Sequence, residues 1–255
     1  MNETPFSRSE LMLGAQVVCA LGKTRVAVFG TGGVGSWCAE ALARTGVGRL
    51  MLVDGDCVAP SNINRQLMAT SQTVGLKKVD ILAERLKAIA PALELDVRAG
   101  RYTRETASTF ALETYDYVID AIDSLDDKAA LIRHALSLPD VTLFSSMGAA
   151  WRLKPFAVRQ SPFRRVEGDG LARALRQRFK KTGGLPERPF TCVWSDEPPC
   201  PPAAAGEPAS SPAAGAKGSL VTVTATFGLS LASLVIEDVA SRLKSPSSNP
   251  PVSGL

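Results

Sequence analysis

Six residues, Gly30-Thr31-Gly32-Gly33-Val34-Gly35, constrain this chain more than any other stretch. They follow Arg25 to Phe29, a short run rich in β-formers. They precede Ser36 to Thr45, where Trp37, Ala41 and Leu42 recur at helical spacing and Gly46 supplies a stop. A strand that turns through glycines into a helix lets backbone approach a phosphate and presents free N–H groups at the helix start. The alternation then continues. Arg49 to Asp54 reads as a second strand. Val79, Leu82, Leu86 and Ile89 set a helix from about Leu76 to Ala90, and Pro91 ends the pattern. Leu93–Val97, Tyr115–Ile119 and Val141–Ser145 read as further strands, with Asp126–Leu138 helical between the last two. Leu11 to Leu21 reads as one short amphipathic helix ahead of the first strand. This order predicts an α/β, Rossmann-like fold: a mainly parallel sheet with helices on both faces and ligands at the carboxyl ends of its strands.

Composition changes after Gly148. Residues 1–148 form the expected nucleotide-binding unit, and 149–244 a basic, substrate-binding extension that completes the same fold. From Trp151 to Phe190 there are eleven Lys/Arg (152, 154, 159, 164, 165, 173, 176, 178, 180, 181, 188) against three acids (167, 169, 187). Such a cluster suits either a polyanion or a solvated helix face. Leu171 to Lys181 reads as a helix within it. Residues 198–218 are mostly Pro, Ala, Gly and Ser and read as a mobile loop, and 245–255 as a disordered tail. Ser219 to Ile236 has 18 residues without a charge but six Ser or Thr. A strand or loop running into a buried core helix fits better than a membrane span. Five cysteines form no C-x-x-C pair. With a polar amino terminus lacking a signal-peptide pattern, that points to a reducing cytoplasm and no membrane insertion.

The glycine loop and Asp54, a ribose-hydroxyl acceptor at the second strand end, occur equally in nicotinamide enzymes. The residues that follow discriminate. Asn62, Asn64, Arg65 and Gln66 come directly after the acidic turn, where a dehydrogenase would continue into its helix. Lys78 lies in the first turn of the next helix, and Asp120-Ala121-Ile122-Asp123-Ser124 follows the fourth strand. Singly, Lys78 is as well read as a solvated lysine and Asp123 as a helix N-cap. Together, two cations and a carboxylate at one strand-end crevice suit a triphosphate and Mg²⁺. His134, among Ile132 and Leu136, reads as structural. Cys192 reads as a buried small hydrophobe and Cys200 as incidental, although either falls where an acyl-accepting thiol could lie.

The order G-T-G-G-V-G, L-V-D-G-D, S-N-I-N-R-Q, V-G-L-K-K, D-A-I-D-S resembles the ubiquitin-activating-like adenylyltransferase superfamily over about residues 6 to 148. Within it, Ser7 to Gly14, Gly33 to Gly46, Cys192-Val193-Trp194-Ser195-Asp196-Glu197-Pro198 and Gly218 to Gly228 resemble the branch of tRNA threonylcarbamoyladenosine dehydratases. The resemblance implies that ATP activates the free carboxylate of a threonylcarbamoyl group on a tRNA adenosine, which then cyclises with net loss of water. It implies that Gly30, Gly32, Gly33 and Gly35 cradle phosphate and that Asp54 binds ribose. Asn62, Arg65 and Lys78 would bind phosphates, and Asp123 would hold Mg²⁺. Asp56, Asn64, Gln66 and Ser124 join the nucleotide-binding set. Arg8 would reach the ATP of a second subunit in a homodimer. A cysteine-desulfurase or sulfur-acceptor partner stays open. Two other readings stay open beside it: activation of a ubiquitin-like sulfur carrier, and a nicotinamide-binding protein.

Overall fold

In the computed structural model the described residues are 3–200 and 217–244. The expectations for the tail 245–255 and for most of the 198–218 loop therefore lie outside the described residues. The helices are α1 (Ser7–Leu13), α2 (Ala15–Leu21), α3 (Gly35–Thr45), α4 (Lys78–Ile89), α5 (Leu125–Ser137), α6 (Gly170–Lys181) and α7 (Val221–Lys244). The strands are β1 (Arg25–Phe29), β2 (Arg49–Val53), β3 (Glu94–Arg98), β4 (Tyr117–Asp120), β5 (Thr142–Ser146), β6 (Val158–Pro162) and β7 (Thr191–Ser195). They form one seven-stranded sheet in the order β3-β2-β1-β4-β5-β7-β6. Every pairing is parallel except the last, β6 against β7.

The strand sequences explain why both faces are covered. Along β1, Val26 and Val28 enter one core while Ala27 and Phe29 enter the other. The two-residue period of a strand sends alternate side chains to opposite faces. With no polar residue among these four, neither face can be left to water. The first core takes α2, α3, α4 and α7. The second takes α5 and α6. Burying a Leu, Val or Phe in such a core contributes about 1.5–3 kcal/mol each. The uncharged stretch after Ser219 is the start of α7. That helix has the length and apolarity of a membrane span, yet it buries Val223, Phe227, Leu231, Val235 and Val239 in the first core. The Tyr117 hydroxyl on β4 donates to Asp238 on α7 at 2.7 Å.

Three features differ from the sequence expectation. The single helix expected over Leu11–Leu21 is two helices. Gly14 takes φ 88°, ψ 153°, open to glycine but unfavourable for other residues, and the chain restarts as α2. Only α2 is amphipathic, burying Val17 and Leu21, whereas α1 buries nothing. Second, β6 and β7 carry no strand assignment from sequence. Edge strand β6, Val-Arg-Gln-Ser-Pro, buries no residue fully, so it lacks the apolar alternation that marks a strand. Third, the basic segment is not one solvated face. Arg176 turns inward to the carbonyls of Phe163 and Val166, and Arg188 to those of Leu138 and Val141. Arg159 pairs with Asp196 and Arg178 with Asp126. Lys154, Arg165, Arg173, Lys180 and Lys181 are exposed. The last three share one face of α6 by their spacing of seven and eight residues.

Candidate active site

The strand order reverses between β1 and β4, because β1 connects outward to β2 and β3 while β4 leads to β5. At such a switch point the loops after neighbouring strands part and leave a crevice. Here that crevice is a cavity of about 750 Å³, within the range of small-molecule sites. Its walls are the loops after β1, β2, β3, β4 and β5, joined by the Arg65–Gln66 element and the amino ends of α4 and α6.

The glycine loop is built by close approach. At Gly30 (φ +84°) an added Cβ would lie 2.6 Å from the Ala121 carbonyl oxygen. At Gly35 it would lie 1.9 Å from that of Gly30. No side chain fits either place, so these glycines let the loops after β1 and β4 fold against each other. The loop is then pinned from β2: the Asp54 carboxylate accepts from the Thr31 N–H at 2.8 Å and from the Asp56 N–H at 2.9 Å. The Ser36 hydroxyl donates to the Gly32 carbonyl at 2.6 Å.

Gly30, Gly32, Gly33, Asp54, Asp56, Arg65, Gln66, Lys78, Asp123 and Ser124 all stand on the cavity wall. Lys78 is the first residue of α4 and is not a solvated helix lysine. Only 7% of its side chain is exposed, and its Nζ lies 3.0 Å from Asp56 and 4.0 Å from Asp54. Burial would raise the Asp56 carboxyl, but Lys78 and Arg101 outweigh it and hold that carboxyl below its ordinary range. Arg65 is placed by α3, since Trp37 Nε1 donates to the Arg65 carbonyl at 3.0 Å. Gln66 is buried, and its Oε1 has no hydrogen-bond partner, so the wall holds an acceptor in need of a donor.

Four residues of the expected set do not line the cavity. Gly35 lies behind it, at the start of α3. Asn62 Oδ1 accepts from the Ala59 N–H at 3.1 Å and shapes the turn before Arg65. Asn64 acts on its neighbour: its Oδ1 accepts from Arg65 Nη1 at 2.9 Å and its Nδ2 donates to the Ser219 carbonyl at 2.9 Å. Arg8 lies on α1 and is exposed. Ser124, rather than Asp123, is the residue ahead of α5, and it makes no side-chain cap.

Several wall residues carried no sequence expectation. Arg101 follows β3 and pairs with Asp56 at 3.1 Å. Trp151 and Arg152 follow β5, and Gly170 and Leu171 open α6. Asp169, 2% exposed, caps α6 through the Ala172 N–H at 2.8 Å and ties it to the β5 loop through the Gly148 N–H at 3.0 Å. The cap was there to be read, as an Asp-Gly ahead of a helical run. Under the wall, Lys128 and Asp120 form an ion pair at 2.8 Å with both side chains fully buried. Asp120 also accepts from the Ser145 hydroxyl at 2.6 Å and the Ile122 N–H at 3.2 Å.

Cys192 lies on β7 with no exposure, and burial pushes its thiol well above the ordinary range. That environment disfavours the thiolate a nucleophile requires. His134 accepts or donates at Nδ1 with the Tyr102 hydroxyl at 2.8 Å, a structural contact in the second core. Among the described residues no group of three or more His, Cys, Asp or Glu could by itself hold a metal ion.

The sequence pattern described as the ThiF family matches residues 6–250. The tRNA threonylcarbamoyladenosine dehydratase of Bacillus subtilis (strain 168) is 41% identical over 194 residues, covering 76% of this chain and 75% of that one. A crystal structure of the E. coli tRNA N6-threonylcarbamoyladenosine dehydratase in complex with ATP matches with a TM-score of 0.84 and 32% identity. It covers 94% of this chain and 95% of that one. The adenylyltransferase and sulfurtransferase MOCS3 of Anopheles gambiae is 37% identical over 139 residues, 51% of this chain and 31% of that one. The glycine cradle, the Asn-Arg-Gln element and the strand order therefore sit in a lineage that the match over nearly the whole chain identifies: the chain belongs to the ThiF family.

Proposed function

We propose that this protein is an ATP-dependent tRNA threonylcarbamoyladenosine dehydratase, which activates the threonylcarbamoyl carboxylate by adenylation and closes it into a ring. One observation carries the reading. The glycine cradle, Arg65, Lys78 and Asp123 converge on a single cavity, in a chain that resembles the ATP-bound E. coli dehydratase along 94% of its length. The sulfur-carrier alternative rests on likenesses to longer proteins, of which this chain covers 31% and 43%.

The residues fit a nucleotide triphosphate. The Gly30–Gly33 loop and the start of α3 offer N–H groups to phosphate oxygens, and Asp54 lies at the ribose position. Mg²⁺ is commonly held by one or two carboxylates together with substrate phosphates, and Asp123 on the wall suits that part. A carboxylate is a poor electrophile because oxide would have to leave. In the first step its oxygen attacks the α-phosphorus and pyrophosphate departs. In the second, a nucleophile of the same threonylcarbamoyl group attacks the acyl carbon, its proton passes to solvent, and AMP departs with the oxygen. The net change in the nucleoside is loss of one water. Lys78 and Arg65 serve the first step as preorganised charge, which needs no reorientation as negative charge gathers on phosphorus. The second step is intramolecular, so holding the group in reach replaces a strong base. Neither step requires a cysteine. The exposed Arg173, Lys180 and Lys181 face of α6 suits a tRNA backbone, while the modified base supplies specificity in the cavity.

Full-length protein incubated with ATP, Mg²⁺ and threonylcarbamoyl-modified tRNA is expected to convert the nucleoside to the species lighter by one water, with AMP and pyrophosphate formed in step. Mass spectrometry of the digested tRNA reads this. An unchanged nucleoside, with enzyme and tRNA intact, rejects the reading. ATP–pyrophosphate exchange that needs a carrier protein and ignores tRNA replaces it with the sulfur-carrier one.

A homodimer in the cytoplasm belongs to the same proposal. The five cysteines are free of disulfides, as suits a reducing compartment. Helix α1 buries nothing and leaves Leu11 and Met12 81% and 87% exposed beside Arg8, a surface a second subunit would cover. Light scattering is expected to give the mass of two chains. Arg8→Ala is expected to keep that mass and weaken ATP binding; unchanged ATP affinity removes Arg8 from the site.

A further inference from the structure

We propose that Arg152 receives the free carboxylate of the substrate acyl group, making it the residue that distinguishes modified from unmodified tRNA; this rests on the dehydratase reading. Arg152 is 3% exposed and stands on the cavity wall. Its Nε and Nη1 have no hydrogen-bond partner. The nearest carboxylate, Asp169, comes no closer than 3.9 Å to Nη2, outside hydrogen-bond range. Asp169 is already committed to the Ala172 and Gly148 N–H groups. Buried guanidinium donors without acceptors are costly, and native structures rarely keep them without a purpose. The other inward-turned arginines of the basic segment do not share this state, because Arg176 and Arg188 each donate to two backbone carbonyls.

The backbone beside Arg152 is held in an unusual conformation. Trp151 takes φ +60°, a left-handed conformation that a bulky aromatic adopts rarely. It persists because both sides are tied: the Trp151 N–H donates to the Gly218 carbonyl at 2.8 Å, and its carbonyl accepts from the Cys200 N–H at 2.7 Å. Gly218 must be glycine here, since an added Cβ would lie 2.7 Å from the indole ring. Strain kept at a cavity wall by surrounding structure marks positions where a side chain must be aimed. A small shift of the Arg152 side chain would bring these enclosed donors to an anion that enters the cavity. A tRNA phosphodiester travels over the surface and does not reach a side chain this enclosed. The ATP phosphates already have Lys78, Arg65 and the glycine loop. The carboxylate on an extruded, modified base is the remaining anion of the reaction. An arginine holding one of its oxygens would leave the other for attack on phosphorus.

The test uses the full chain with Arg152→Gln, Arg152→Lys and Arg152→Met. Affinities are measured for ATP, for threonylcarbamoyl-modified tRNA and for the same tRNA unmodified. Wild type is expected to prefer modified tRNA. Arg152→Gln is expected to reduce that preference, and kcat/KM for modified tRNA, by roughly 10–100-fold, the scale of a lost hydrogen bond to a charged group. ATP affinity should stay at its wild-type value, and Arg152→Lys should recover part of the loss. Arg152→Met, which removes buried donors lacking acceptors, should not lower the Tm. Equal weakening toward both tRNAs would make the contact a phosphodiester one and overturn the proposal. A fall in ATP affinity, a lowered Tm with every parameter reduced, or a Gln variant matching wild type would overturn it too. If wild type itself does not dehydrate the tRNA, the functional reading fails. If wild type does and the variants match it, Arg152 alone is refuted.

Discussion

Lys128→Ala is expected to cost about 3–5 kcal/mol of stability, the range for removing one partner of a buried ion pair. Lys128 and Asp120 are both fully buried, at 2.8 Å. Without the ammonium, Asp120 keeps only the Ser145 hydroxyl and the Ile122 N–H, neither of which carries a charge. For a protein of this size each kcal/mol moves Tm by roughly 2–4 °C, so the variant should melt well below wild type in a thermal scan. The Lys128 Nζ also donates to the Ile122 carbonyl at 3.1 Å, in the loop that leads to Asp123. ATP binding should therefore weaken even at temperatures where the variant is folded. The double variant Asp120→Asn/Lys128→Met separates charge from packing: it should regain much of the lost stability, because replacing a whole buried pair with uncharged groups is often near neutral. A single variant that melts within a degree or so of wild type would show that the pair contributes little to this fold.

Arg65→Ala is expected to leave the fold intact and reduce turnover by roughly 10²–10³, the scale of one preorganised electrostatic contact to a transition state. The structural connections of this residue run mainly through its backbone, whose carbonyl receives Trp37 Nε1. Alanine keeps that carbonyl. Its side chain donates through Nη1 to Ser61 and Asn64, contacts on a partly exposed group whose loss changes stability little. If Arg65 acts on charge that develops at phosphorus, kcat should fall more than ATP affinity does. Turnover near wild type, with the variant folded, would remove Arg65 from the chemistry. Loss confined to ATP affinity at unchanged kcat would make it a ground-state binder.

The half of the cavity built around the glycine loop was legible because its residues lie close together in sequence. Gly30 to Gly35, Asp54, the Asn-Arg-Gln element and Lys78 lie within one strand–helix–strand–helix stretch, where period and turn chemistry set the local conformation. The roles of neighbouring residues were less legible. Asn62 and Asn64 look like ligands in the sequence, but in the structure they shape the turn and hold Arg65. Hydrogen bonds of that kind depend on which way a short polar side chain points. The single helix expected from Leu11 to Leu21 failed at Gly14, because an apolar period alone does not register a left-handed break.

The other half of the cavity could not be read in this way. Arg152, Gly170 and Leu171 come to the cavity from the loop after β5 and from a helix beyond β6. In sequence they sit in a basic segment that suited a solvated face as well as a polyanion. Which of its arginines turn inward is set by burial against α5 and α6, a property of the packed sheet and not of spacing along the chain. By itself, then, the sequence determined the α/β order, the glycine turn and the place of the Asn-Arg-Gln element after the second strand, because local backbone preference and hydrophobic period encode those. The tertiary structure alone decided that β7 and β6 extend the same sheet, that Lys78 is buried between two aspartates, and that Arg152 meets the cavity with donors unused. Each of these depends on contacts between residues far apart in sequence, whose energies appear only once the chain has closed on itself.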